Sequence, residues 1–141
     1  MIKILKFPIL LTLILCSPLF YAEGNHKIFN LGDFDLESGI TLPNAKLSYV
    51  THGKLNEEKN NLIVVPSAYL GDHHGFDFLI EQGKALDPDK YFIVATDMFQ
   101  NGLSSSPSNT APPFTGPNFP LISIRDNANA GYKLATEIVK V

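Results

Sequence analysis

Leu62-Ile63-Val64-Val65 is a short, unbroken apolar run, three of its four residues β-branched, and it stops at Pro66. It is too short for a helix, and its lack of polar alternation predicts a strand covered on both faces. Proline has no N–H for a ladder, so Pro66 marks the end. Ser67 and Ala68 follow, and Gly71 permits a tight turn. A second run of the same kind, Tyr91 to Thr96, comes further on. In open α/β sheets, ligands bind just beyond the carboxyl ends of such strands. The segment Ser67 to Gly71 is therefore a candidate binding loop as well as a plain connector.

The flanking sequence supplies the rest of an α/β grammar. His26 to Leu31 reads as a first strand, Gly32 to Pro43 as turns, and Ala45 to His52 as a second strand closed by Gly53. Phe76 to Leu86 carries apolar residues at 76, 79, 80, 85 and 86, which predicts a helix with Gly83 as its weak point. Asp87-Pro88-Asp89 is a turn. The segment Asp97 to Pro120 holds five of the ten prolines and is too long for a simple connector, so it reads as a lid, a substrate-binding segment or a surface loop. Ile124 to Val139 is the strongest helix, with Ile124, Ala128, Gly131, Leu134, Ala135 and Ile138 on one face and Ser123 as its cap. Strands and helices in this order predict an α/β domain.

The first 22 residues stand apart. Lys3 and Lys6 precede an uncharged stretch, Phe7 to Ala22, and Glu23 is the first acid. That layout predicts a secretory signal peptide over 1–22, with the domain in 23–141 and the product secreted or periplasmic. Pro8 and Pro18 interrupt the apolar stretch, which is shorter than a membrane span requires. An uncleaved anchor is the alternative, and lipid attachment at Cys16 is disfavoured by the bulky Leu15 before it. Cleavage after Ala22 leaves nine basic against fourteen acidic residues and removes the only cysteine. Such a chain has no disulfide, no thiolate nucleophile and no electrostatic footprint for nucleic acid. After cleavage no membrane partner is expected.

Five stretches then carry a family resemblance. They are Phe34-Asp35-Leu36-Glu37-Ser38-Gly39, Tyr49-Val50-Thr51-His52-Gly53-Lys54-Leu55-Asn56, Ser67-Ala68-Tyr69-Leu70-Gly71-Asp72, Gly83 to Phe92, and Phe119 to Asp126. In this order they resemble the N-terminal part of the homoserine O-acetyltransferase family of α/β-hydrolase-fold proteins. The resemblance implies a mostly parallel sheet with flanking helices, interrupted before the nucleophile elbow. It implies a Ser-Asp-His triad lying beyond residue 141, so none of the triad is present. It implies acyl transfer or ester hydrolysis through an acyl-serine, with a small-molecule acyl donor or ester as substrate and no cofactor. One catalytic element is expected here: the backbone amide of Tyr69, as an oxyanion-hole donor in the loop after the third strand. The family commonly has histidine and leucine where this chain has Ser67 and Tyr69. The glycine-rich pattern usual near Phe99 to Ser106 is also replaced. Both departures, and export, point away from homoserine as the substrate.

Other polar groups read as structural. Gly102-Leu103-Ser104-Ser105-Ser106 lacks the last glycine of a G-x-S-x-G elbow and follows the wrong strand, so these serines read as loop. Asp72-His73-His74 reads as a solvated loop, not a metal site, because neighbouring side chains diverge. His26 and His52 read as structural, and Arg125-Asp126 as a local charge pair in the first helical turn. The competing reading of the whole is a non-catalytic secreted binding domain or gene remnant.

Overall fold

The computed structural model describes residues 26–140; the expected leader, 1–22, lies outside them. Among the described residues the strands are β1 (Lys27–Asp35), β2 (Thr41–His52), β3 (Leu62–Pro66) and β4 (Phe92–Thr96), followed by one α-helix, α1 (Ile124–Val139). They form a single sheet in the order β1-β2-β4-β3. β1 and β2 make an antiparallel hairpin, β2 pairs antiparallel with β4, and β4 pairs parallel with β3. The resemblance implies a mostly parallel sheet with flanking helices; among the described residues the sheet is mixed, with one parallel pair beside two antiparallel ones, and is consistent with part of an α/β-hydrolase fold. No helix among the described residues is long and apolar enough to cross a membrane.

Both expected strands form, but only β4 is covered on both faces; Leu62 to Val65 of β3 are half-buried, because β3 lies at the edge of the sheet among the described residues. Ile93, Val94 and Ala95 are fully buried. The hairpin is longer than the sequence suggests. The residues read as turns between 32 and 43 are mostly strand, reversed tightly at Leu36–Ile40, where Gly39 at φ +80° donates to the Leu36 carbonyl. Gly32 and Pro43 are accommodated at irregularities in the register, where a proline forfeits no ladder bond. Leu31, Phe34, Leu42, Ala45 and Leu47 from the hairpin pack with Val94, Phe99, Ala130 and Leu134 in the core.

The helix expected over Phe76 to Leu86 does not form. Only a single 3-10 turn, Asp77–Leu79, appears there. Gly83 adopts φ +80° and donates its N–H to the Asp87 carboxylate, whose other oxygen accepts from Asp89 N. The side chain of Asp87 thus organises turns where a helix would need its backbone.

Helix α1 matches its expected span. Ser123 caps it through a reciprocal box: its hydroxyl accepts from Asp126 N, and Asp126 accepts from Ser123 N. The helix is rotated from the expected face. Gly131 and Leu134 are buried against the sheet as anticipated, but Ile124 is 80% exposed and Ala128 is exposed, while Asp126 and Ala130 face inward. Asp126 holds a second bond from Glu37 N, and Arg125 pairs with Glu37, so these two residues tie the helix to the β1–β2 turn instead of pairing with each other.

Strand β3 has β4 on one side and no strand on the other among the described residues. An apolar edge with free N–H and C=O groups is a template for pairing with another chain. Purified residues 23–141 should therefore elute from size-exclusion chromatography as oligomers and melt without a cooperative transition. A monodisperse monomer with a sharp, reversible melt would contradict this.

Candidate active site

Strands β3 and β4 run parallel, so their carboxyl ends open at the same end of the sheet. A cleft of about 550 Å³ lies there. One wall is the loop after β3, residues 67–71; the other is residues 98–101 after β4, and the N-terminus of α1 with Asn127 forms the floor. Phe99 N donates to Asn127 Oδ1 at 2.8 Å, joining wall to floor.

The first wall is built from short-range geometry. Ser67 N donates to Thr96 O at 2.8 Å, and Ser67 Oγ accepts from Met98 N, so the loop leaves β3 fastened to the exit of β4. A turn follows, closed by Gly71 N to Ala68 O at 2.9 Å. Leu70, its third residue, sits at φ +61°, a conformation that costs a bulky L-residue energy. The N–H groups of Ala68, Tyr69 and Leu70 donate to no acceptor among the described residues. Tyr69 and Leu70 side chains are about nine-tenths exposed. The expected donor, the Tyr69 amide, is thus part of a run of free N–H groups bordering the cleft. Such a run can hold an oxyanion or a polarised carbonyl. Gln100, on the opposite wall, also has positive φ, at +74°.

The three serines at 104–106 are fully engaged elsewhere. Ser104 Oγ accepts from Ser48 N and donates to Asp97 O; Ser105 Oγ accepts from Lys46 N; Ser106 Oγ donates to Ser104 O. All three are buried, and they extend the β2 edge. They are built as structure, in line with the missing glycine.

One polar group departs from expectation. His73 is not part of a solvated loop: it is 4% exposed, and its Nδ1 lies 2.8 Å from Asp97 Oδ2. Asp97 is completely buried. Its Oδ1 accepts from His73 N and Asn101 Nδ2, and its Oδ2 also accepts from Ser48 Oγ. An acid-to-Nδ1 bond resembles the orienting half of a catalytic triad, but His73 Nε2 is buried and meets no partner among the described residues. It has no hydroxyl to activate. His74 is exposed and bonds Asp77 instead. His26 lies beside the His73 ring, and His52 ends β2. Among the described residues no three His, Cys, Asp or Glu side chains are arranged to hold a metal.

At the cleft floor, burial opposes the charge on Asp126, but the N–H groups of Ser123 and Glu37 and the Ser123 hydroxyl outweigh it and hold its carboxyl below the ordinary 3.8. A depressed acid stabilises fully above its unfolded-state value and ceases to do so as pH falls through the folded one. Far-UV helical signal from α1 should therefore decline as pH drops below 3.8. Asp126→Asn should remove that acid-dependent component while lowering the signal at neutral pH. An unchanged titration in the variant would contradict the assignment.

No family model matches the chain. Individual relatives do. An ethyl acetate hydrolase of Pseudomonas veronii is 40% identical over 122 residues, covering 84% of this chain and 35% of the relative. A homoserine O-acetyltransferase of Methanococcoides burtonii is 37% identical over 120 residues, covering 73% of this chain and 25% of the relative. The solved acetyl esterase MekB superposes with a TM-score of 0.80 at 39% identity, over 84% of this chain and 34% of that one. The chain spans about a third of the length of these esterases. In sequence and in fold, it corresponds to the N-terminal part of the α/β-hydrolase proteins that include homoserine O-acetyltransferases and acetyl esterases.

Proposed function

We propose that residues 23–141 form the oxyanion-side portion of an exported serine esterase or acyltransferase that acts on small esters, with the nucleophile supplied by sequence that follows. The observation that carries this reading is the run of free N–H groups at Ala68, Tyr69 and Leu70, at the cleft beyond β3 and β4. Relatives named for ethyl acetate and acetyl ester hydrolysis favour a short acyl group.

The chemistry is that implied by the resemblance, with the described cleft supplying one oxyanion donor. In this reading the histidine of the expected triad takes the proton of the serine hydroxyl as the serine oxygen bonds to the ester carbonyl carbon, and the carbonyl electron pair moves onto its oxygen. That oxyanion is held by the Tyr69 amide and by the amide after the nucleophile. Collapse of the intermediate breaks the bond to the alcohol, which leaves with a proton from the histidine. Water or a second acceptor then takes the acyl group from the serine. A backbone donor explains why the family position can carry Tyr69: the N–H acts, and the side chain is free to vary.

The chain ending at Val141 should turn over neither p-nitrophenyl acetate nor acetyl-CoA with homoserine. The reading frame continued past codon 141 should encode a strand and a G-x-S-x-G elbow, and its product should hydrolyse p-nitrophenyl acetate. In that product Tyr69→Pro, which deletes the N–H, should lower kcat by about 10²–10³, whereas Tyr69→Ala should change it little. Turnover by the short chain that depends on Ser104, Ser105 or Ser106 would overturn the reading.

Export rests on Lys3, Lys6 and the uncharged stretch to Ala22. Residues 1–30 fused to a reporter active only outside the cytoplasm should give signal, with a mature N-terminus near Glu23. Replacing Leu13 and Leu15 with arginine should abolish it. An unprocessed cytoplasmic product from the native sequence would rule export out.

A further inference from the structure

We infer that Asp97 is a positioning residue for the cleft: its buried carboxylate, acting through His73, holds the turn that carries the free amides. The inference rests on the proposed function for its kinetic readout, but the geometry stands by itself.

Every polar atom of Asp97 is engaged. Its N–H donates to Ser48 O at 2.8 Å, and its carbonyl accepts from Ser104 Oγ at 2.7 Å. Its carboxylate accepts four bonds: His73 N at 2.8 Å and Asn101 Nδ2 at 2.9 Å on Oδ1, His73 Nδ1 at 2.8 Å and Ser48 Oγ at 2.6 Å on Oδ2. A charge removed from water is tolerated only when its lone pairs are used in this way. One side chain thereby joins β2, the loop after β3 and the loop after β4.

The consequence falls on the turn 68–71. It is fastened before and after: Ser67 bonds Thr96 and Met98, and His73 bonds Asp97. Both anchors lie at the exit of β4, residues 96–98. Between them, only the bond from Gly71 N to Ala68 O holds the turn internally. Leu70 remains at positive φ, a conformation that persists only where the surroundings over-determine it. Releasing the His73 anchor lets the turn relax and moves the Tyr69 amide. Misplacement of a reacting or stabilising group by about 1 Å is enough for a loss of order 10²-fold.

His73 answers to the same carboxylate with both its backbone and its ring. A carboxylate oxygen can only accept, so Nδ1 donates to Asp97, and the buried Nε2 has no partner among the described residues. In Asp97→Asn the amide would meet Nδ1 with its own N–H, and the ring would have to shift its proton to Nε2, where no acceptor waits. Asparagine at 97 is therefore not a neutral replacement despite its shape.

The test uses the full-length product with p-nitrophenyl acetate. Asp97→Asn should lower kcat by about 10- to 100-fold with KM nearly unchanged, and should speed hydrogen exchange at the Gly71 amide. His73→Leu should do the same. His73→Asn, which keeps an N–H near the Nδ1 position, should restore most of kcat. Ser106→Ala, a buried change in the same loop away from the turn, should leave kcat near wild type. Wild-type kcat and Gly71 exchange in Asp97→Asn would overturn the proposal, as would an equal loss in Ser106→Ala. If Asp97→Asn does not fold, the His73→Leu and His73→Asn pair decides: equal kcat in the two overturns it. A wild type without esterase activity, or a silent Tyr69→Pro, defeats the functional reading alone. Gly71 exchange in Asp97→Asn and His73→Leu then still decides the positioning role: faster exchange supports it and unchanged exchange overturns it.

Discussion

A fully buried carboxylate is the constraint on which the working end of this structure depends. Asp97 sits where β4 ends, and its charge is tolerable only because four donors converge on it. Those donors come from a strand and two loops, and among the described residues the carboxylate is the one side chain that bonds all three. An apolar residue at 97 would cost less desolvation but would leave Ser67 as the link between the loop after β3 and the exit of β4, with His73 released. Polar specificity is concentrated at the cleft, while the core is held by ordinary apolar packing of Phe34, Leu42, Leu47 and Leu134.

The division between what could and could not be read from the residues follows the range of the interactions. Leu62 to Val65, Tyr91 to Thr96 and Ile124 to Val139 were legible because period and β-branching act locally. The capping of α1 was legible for the same reason: Ser123 and Asp126 lie three residues apart. The helix expected over Phe76 to Leu86 was a misreading of a fair apolar spacing, since the bond from Gly83 to Asp87 favours turns there. His73 looked solvated because its neighbours Asp72 and His74 are polar and exposed. Its partner lies 24 residues away, and no local pattern announces it. A hint was available in Asp97 itself, an acid directly after a strand apolar from Phe92 to Ala95, at the end of the sheet where ligands bind.

The exposed face of α1 has a similar lesson. Ile124 and Tyr132 are 80% and 71% exposed although the sequence places Ile124 on the apolar face. Periodicity identified an apolar stripe correctly but could not tell which part of it meets this sheet. Gly131 lies over Val64 with room for an added Cβ at an ordinary contact distance of 3.8 Å, so the orientation is set instead by Asp126, held inward by the amides of Ser123 and Glu37. The helix therefore turns Gly131 and Leu134 to the sheet and leaves Ile124 outward.

The strand order also bears on how the chain is made. β4 lies between β2 and β3, although β3 precedes it in sequence. During synthesis the hairpin of β1 and β2 can close at once, since its contacts are local. β2 and β3 must then wait, each with an unpaired edge, while roughly forty residues separate His52 from Phe92. At about 5–20 residues per second this is a delay of order seconds, long compared with hairpin closure in microseconds. Any pairing between β2 and β3 in that interval occupies the place of β4 and has to be undone. A nascent chain of this topology gains from a chaperone that covers β2 until the ribosome delivers its true neighbour.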